Sequence, residues 1–161
     1  MTFAKGPEDL LGPADMAHMS GLDFMRGVLD GRLPAAPIAR TLGFDLHAVA
    51  EGRVVFRGTP TFDACNPLGA VHGGWYGTLL DSAMACAVQT MVPQGVAYTT
   101  LEYKINILRA IPIGTEVECT GIADHVGRST GVAHGEIRGI EDGRLYATDS
   151  TTCIVLNIPR G

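Results

Sequence analysis

From residue 73 to residue 92 the chain carries no Lys or Arg, and its only acid is Asp81. No other stretch limits the possible folds as strongly. Placed on a helix at about 100° per residue, Gly74, Gly77, Thr78, Asp81, Ala85 and Val88 share one face. That face is small enough for another backbone to come close. Trp75, Leu79, Leu80, Ala83, Met84 and Ala87 make the other faces apolar, so the helix is expected to be buried nearly all round. A carboxylate in such surroundings is costly unless it is paired, shifted in pKa or used in chemistry.

Hydropathy alone would allow this run to cross a membrane. Its glycines, with Thr78, Asp81, Ser82, Gln89 and Thr90, favour a buried helix of a soluble protein instead. The N-terminus, MTFAKGPEDLLGPADMAHMSG, has Gly, Pro and acids where a signal peptide needs an apolar stretch, so a cytoplasmic location is expected. A net charge of −5 gives no reason to expect nucleic acid or an anionic membrane as partner. Cys65, Cys86, Cys119 and Cys153 lie far apart without CxxC spacing, which fits reduced thiols better than zinc or disulfides. The length of 161 residues suits one domain with a real core.

Residues 1–19, punctuated by Pro and Gly, are expected to form a mobile tail. Ser20 can cap a helix carrying Phe24, Met25 and Val28, and a second short helix spans 36–42 before Gly43. Two strand-like runs, Phe44–Ala50 and Arg53–Gly58, are joined by Glu51-Gly52 as a tight hairpin. A Pro/Gly/Asn-rich loop over 59–71 then feeds the central helix. Four further strands are expected over 96–108, 116–126, 129–140 and 145–158, forming an antiparallel meander. The first alternates around Tyr103, Ile105 and Ile107. One sheet can bury one helix only by curling round it. The expectation is a single α+β domain over 20–161, with 20–42 as a helical extension.

Several chemistries lack their signatures. There is no G-x-S-x-G elbow and no Gly-rich phosphate loop. His18, His47, His72, His125 and His134 show no metal-binding spacing, and no metal or cofactor is expected. His125 and His134 flank a turn and read as surface strand residues. The positive signal is His72-Gly73-Gly74, which opens a helix whose first N–H groups have no intrahelical acceptor. Glycine lets a ligand oxygen approach those donors, and the helix dipole helps them hold developing negative charge. Asp81 can activate water or attack directly. Together they form the kit for acyl transfer or ester-type hydrolysis.

Gly73 and Asp81 are about 12 Å apart on one straight helix, whereas a reacting carbonyl needs both within roughly 3–4 Å. Two antiparallel copies can supply both, which implies a two-fold dimer with composite sites. Plainer readings stay open here. Asp81 can be a structural acid bonded to a loop amide, and the glycines can serve only helix entry and packing.

The pattern N-P-x-G-x-x-H-G-G-x-x-x-x-L-x-D-x-A, from Asn66 to Ala83, and the run TTLEYKINILRAIPIG resemble the hotdog-fold acyl-CoA thioesterases of the phenylacetic-acid-degradation type. The likeness covers about residues 40–157. It implies a hotdog fold, a long central helix wrapped by a curved six-stranded antiparallel sheet. It also implies an acyl-CoA substrate, hydrolysis without metal or cofactor, and a homo-oligomer, either a dimer or a dimer of dimers. By the same resemblance Asp81 is the catalytic carboxylate and Gly73 supplies the polarising N–H. Asn66 positions the carbonyl or water, and His72 orients the loop and the leaving thiolate. Thr100 would assist Asp81, although Thr99 matches nearly as well. Arg128, Ser129 and Arg109, with Lys104 assisting, fall where such proteins contact coenzyme A. The substrate would lie against Gly74, with its acyl group threading towards Trp75, Leu80 and Met84. The rival expectation is a non-catalytic acyl-CoA-binding module. A dehydratase would want a His paired with the acid on the helix, and Asp81 has none at helical spacing.

Overall fold

The computed structural model describes residues 2–157. In chain order its elements are α1 (Pro13–Met16), α2 (Gly21–Leu29), α3 (Pro37–Leu42), β1 (Phe44–Ala50), β2 (Arg53–Gly58), α4 (Gly73–Gln89), β3 (Val96–Ile107), β4 (Val117–Val126), β5 (Thr130–Gly139) and β6 (Leu145–Asn157). Ile158, the last residue of the expected final strand, lies outside the described residues, as do Met1 and Gly161. No helix among the described residues is long and apolar enough to cross a membrane.

The strands form one antiparallel sheet in the order β1-β2-β4-β5-β6-β3. The β1–β2 hairpin turns at Glu51-Gly52, where Gly52 takes a φ of 71°. The expected four-strand meander holds only for β4, β5 and β6. β3 pairs with β6 along its length, from Val96↔Asn157 to Ile107↔Ala147, and so occupies the sheet edge. The reason lies in residues 108–116, which are too long for a tight turn and are anchored elsewhere. Ile111 N donates to the Tyr76 hydroxyl at 2.7 Å and Gly114 N to Pro60 O at 2.9 Å. The chain therefore crosses beneath the helix start and delivers β4 to β2.

The sheet curls round α4 because β4 and β5 carry glycine where the helix lies closest. A Cβ at Gly121 would overlap the Ala83 backbone, and one at Gly135 would meet Met84 Cγ at 2.9 Å. Leu79, Leu80, Ala83, Met84, Ala87 and Val88 are fully buried over this seat. Each large side chain among them contributes about 1.5–3 kcal/mol. The helix is enclosed on most sides, but its more open stripe is not the face expected. Gly77, Ala85 and Val88 are buried, whereas Gly74 is exposed and Thr78, Asp81, Ser82 and Cys86 are half-buried. Tyr103 covers Gly77, whose Cβ would lie 3.1 Å from the tyrosine hydroxyl.

Ser20 caps α2 as expected, its hydroxyl accepting from Asp23 N at 3.1 Å. Gly21 seats α2 against the end of α4, with Gly21 N donating to Val92 O at 3.0 Å. Residues before Ser20, expected as a tail, hydrogen-bond to the chain ahead of α3. Ala35 N donates to Thr2 O at 2.7 Å, Ala4 N donates to Ala35 O at 3.3 Å, and Ala4 is buried.

Candidate active site

Asp81 sits midway along α4, where the helix runs antiparallel to β3. Its Oδ1 accepts a hydrogen bond from the Thr100 hydroxyl at 2.9 Å. Burial raises the Asp81 pKa, and the Thr100 bond partly opposes this. A carboxylate held this way is a better proton acceptor than one in water.

A bulge decides which threonine reaches it. Alternation counted back from Ile107, Ile105 and Tyr103 would turn Leu101 and Thr99 towards the helix. Instead the β3–β6 register shifts between Thr100 and Glu102. Leu101 is the extra residue and is 60% exposed. The one-residue change of phase turns Thr100 inward, while Thr99 is exposed.

At the helix start, His72 is the N-cap, and its Nδ1 accepts from Gly74 N at 2.8 Å. An accepting Nδ1 places the ring proton on Nε2. The Gly74 amide is therefore occupied, contrary to the expectation that both glycine amides are open to a ligand. Gly73 N–H has no acceptor among the described residues, and Gly73 is exposed. Asn66 shapes the loop before it. Its Oδ1 accepts from Leu68 N at 2.9 Å and Ala70 N at 3.2 Å, and its backbone N donates to Ala70 O at 2.8 Å. The Asn66 Nδ2 has no partner among the described residues. Asn66, His72 and Gly73 thus form one cluster, and Asp81 with Thr100 forms another. Within one chain they stand about two helical turns apart.

Asp81 and Thr100 open onto a cavity of about 360 Å³, walled by Phe24, Met25 and Val28 of α2, Phe56 of β2 and Tyr98 of β3. Trp75, Leu80 and Met84, expected to receive an acyl group, do not line it. They face the sheet instead. Trp75 Nε1 donates to Leu42 O at 2.9 Å, and Leu80 and Met84 are fully buried. The α2 wall had no sequence signal beyond an amphipathic helix.

The expected cations are dispersed. Arg109 Nη1 donates to Leu145 O at 2.7 Å, and Arg109 N to Tyr146 O at 3.2 Å. Arg128 is exposed in the β4–β5 turn beside Ser129, whose carbonyl accepts from Val155 N at 2.9 Å. Tyr146 and Val155 are separated along β6 by about 30 Å, at about 3.4 Å per residue. One chain therefore cannot bring Arg109 and Arg128 to the same phosphate. Lys104 Nζ donates to Asn106 Oδ1 at 2.7 Å. His134 Nδ1 lies 2.7 Å from Asp124 Oδ1 on the exposed sheet surface, while His125 pairs with Val132.

Sequence reasoning also passed over Asp149. It is 5% exposed, and its Oδ2 has no hydrogen-bond partner. Its Oδ1 accepts from Ser150 N at 2.6 Å. Burial, with the Asp81 charge adding to it, pushes its pKa up to about 6. The alternation of β6, which turns Ala147, Thr151 and Cys153 inward, was the available signal.

Residues 68–146 match the model of the thioesterase superfamily. The chain is 33% identical over 99 residues to the acyl-coenzyme A thioesterase PaaI of Escherichia coli K12, covering 62% of this chain and 69% of the relative. Its fold is similar to the structure of the E. coli PaaI protein from the phenylacetic acid degradation operon. That comparison gives a TM-score of 0.74 and 25% identity, over 86% of this chain and 97% of the other. A hypothetical thioesterase of Streptococcus pneumoniae TIGR4, solved with coenzyme A, gives a TM-score of 0.67 and 26% identity over 76% and 94%.

Proposed function

Since this chain belongs to the thioesterase superfamily, and within it to the hotdog-fold acyl-CoA thioesterases of the PaaI type, we propose that Asp81 and the Gly73 amide of a second subunit hydrolyse the thioester together. The observation carrying this reading is the half-buried Asp81 carboxylate, bonded to Thr100 at the mouth of an apolar cavity. The Gly73 N–H lies too far along the same helix to serve it within one chain.

Asp81 takes a proton from water as the water attacks the thioester carbon. The partner's Gly73 N–H holds the oxygen that becomes negative. Collapse of that intermediate breaks the carbon–sulfur bond, and the proton held by Asp81 passes to the leaving thiolate. The products are a free acid and coenzyme A. His72 keeps the helix start in shape, and the free Nδ2 of Asn66 is positioned to donate to the carbonyl or the water.

Support for the dimer comes from β3. It is an edge strand of 12 residues, with Leu101, Tyr103 and Ile107 each more than 40% exposed. An apolar edge of this length invites pairing with a second copy. Two antiparallel copies of α4 over such a seam would bring each Gly73 towards the other Asp81. Arg109 and Arg128 then serve one coenzyme A from different subunits, and the acyl group is a short-chain or aryl one. The four free cysteines fit a cytoplasmic location.

The test is release of coenzyme A thiol from short-chain and aryl acyl-CoAs by Asp81→Asn. The expected result is a loss of about 10²-fold or more in kcat with an unaltered circular dichroism spectrum. Turnover at the wild-type rate overturns the assignment.

A further inference from the structure

Phe24, Met25, Cys86 and Tyr98 line two cavities at once. On one side is the cavity of about 360 Å³ that holds Asp81. On the other is a second one of about 310 Å³, completed by Leu11, Met16, Gln89 and Ala97. The four residues therefore form a partition one side chain thick. Asp81 is the only charged side chain lining either space among the described residues.

The partition has a rigid half and a pliable half. Cys86 belongs to α4 and Tyr98 to β3, both fixed by the core. Burial, with the Asp81 charge adding to it, pushes the Cys86 thiol up to about 12, so this half of the wall stays neutral. Phe24 and Met25 come from α2, which the Gly21–Val92 hydrogen bond ties to the end of α4. Met25 is 3% exposed and Phe24 is half-buried. An unbranched Met with three rotatable bonds is the member best able to yield.

We propose that Phe24 and Met25 form the end wall of the acyl site, so that the enzyme takes neutral aliphatic or single-ring aryl acyl groups that end at this wall and discriminates against longer chains. This rests on Asp81 marking where the thioester carbon sits. A dicarboxylic acyl group is a poor substrate, because its free carboxylate would be buried with no cation to pair it. The N-terminal helical extension thereby sets acyl specificity, with each excluded methylene costing a few-fold in affinity.

The experiment compares kcat/KM and calorimetric Kd for butanoyl-, octanoyl-, dodecanoyl-, benzoyl- and succinyl-CoA. For the wild type, dodecanoyl-CoA and succinyl-CoA are expected to fall about tenfold or more below butanoyl-CoA and benzoyl-CoA. Met25→Ala and Phe24→Ala each open the wall and raise the dodecanoyl-to-butanoyl ratio about tenfold. Ala39→Phe, which fills the first cavity, lowers the octanoyl-to-butanoyl ratio and keeps the test informative should Met25→Ala fail to fold. A wild-type profile flat to dodecanoyl-CoA, or a ratio unmoved in the wall variants, overturns the proposal. Measured in the Asp81→Asn background, where no substrate is consumed, the Kd series reads the wall by itself, and a failure of the Asp81 chemistry shows separately as Asp81→Asn turning over at the wild-type rate.

Discussion

The Thr100 hydroxyl donates to Asp81 Oδ1 at 2.9 Å, and it reaches that oxygen because Leu101 is bulged out of β3. The contact holds the carboxylate's orientation and offsets part of the rise in pKa that burial imposes.

Removing the hydroxyl should therefore move a pH profile as well as a rate. With Asp81 as the proposed base, the acid limb of kcat/KM should lie above the ordinary carboxylate value, because burial raises the Asp81 pKa. In Thr100→Val the opposing hydrogen bond is gone, the limb moves to still higher pH, and kcat/KM falls by about tenfold. Thr100→Ser restores both. A limb that stays in place in Thr100→Val counts against Asp81 as the base.

Asp149 makes stability depend on pH in the direction opposite to a salt-bridged acid. Its folded pKa of about 6 lies above the ordinary aspartate value of 3.8. Its ionisation therefore costs nothing below pH 3.8, and stability is lost as pH rises from there to about 6, above which the loss is complete. That shift corresponds to about 3 kcal/mol at neutral pH. Asp149→Asn should raise Tm at pH 7.5 by about three times as much as at pH 4.5. Thermal melts at the two pH values check this, and an equal shift at both means that Asp149 is not the titrating group.

His72 has a structural task separable from any chemical one. His72→Ala removes the cap on Gly74 N and should cost about 1 kcal/mol. His72→Asn supplies another good cap and should keep stability within about 0.5 kcal/mol. Denaturant titration measures the cap, and turnover of the Asn variant measures what the imidazole adds. If both variants are equally stable, the 2.8 Å contact is not worth what a cap normally is.

A charge on the exposed β3 edge tests the dimer. Leu101→Lys should weaken self-association and lower kcat together, because the Gly73 donor would come from the second subunit. Sedimentation across a concentration series, with activity read at the same concentrations, gives both quantities. A monomer with full activity would refute the composite site.

The sequence by itself determined the central helix, its lone acid, the β1–β2 hairpin, the Ser20 cap and the antiparallel α+β class. Each follows from periodicity or from a residue with few conformational options, and both are local properties. The motif from Asn66 to Asp81 likewise placed the candidate residues in the loop before that helix, at its start and at its middle. Three matters were decided only by the tertiary structure. The path of residues 108–116 put β3 beside β6, because the Tyr76 hydroxyl and Pro60 carbonyl that anchor it are distant in sequence. The bulge at Leu101 chose Thr100 over Thr99, because a change of phase within a strand follows from its partner's register and not from its own alternation. The cavity turned away from Trp75 and Met84 towards Phe24 and Met25, because two apolar faces look alike in sequence and only packing assigns one to the sheet and the other to a space beside Asp81.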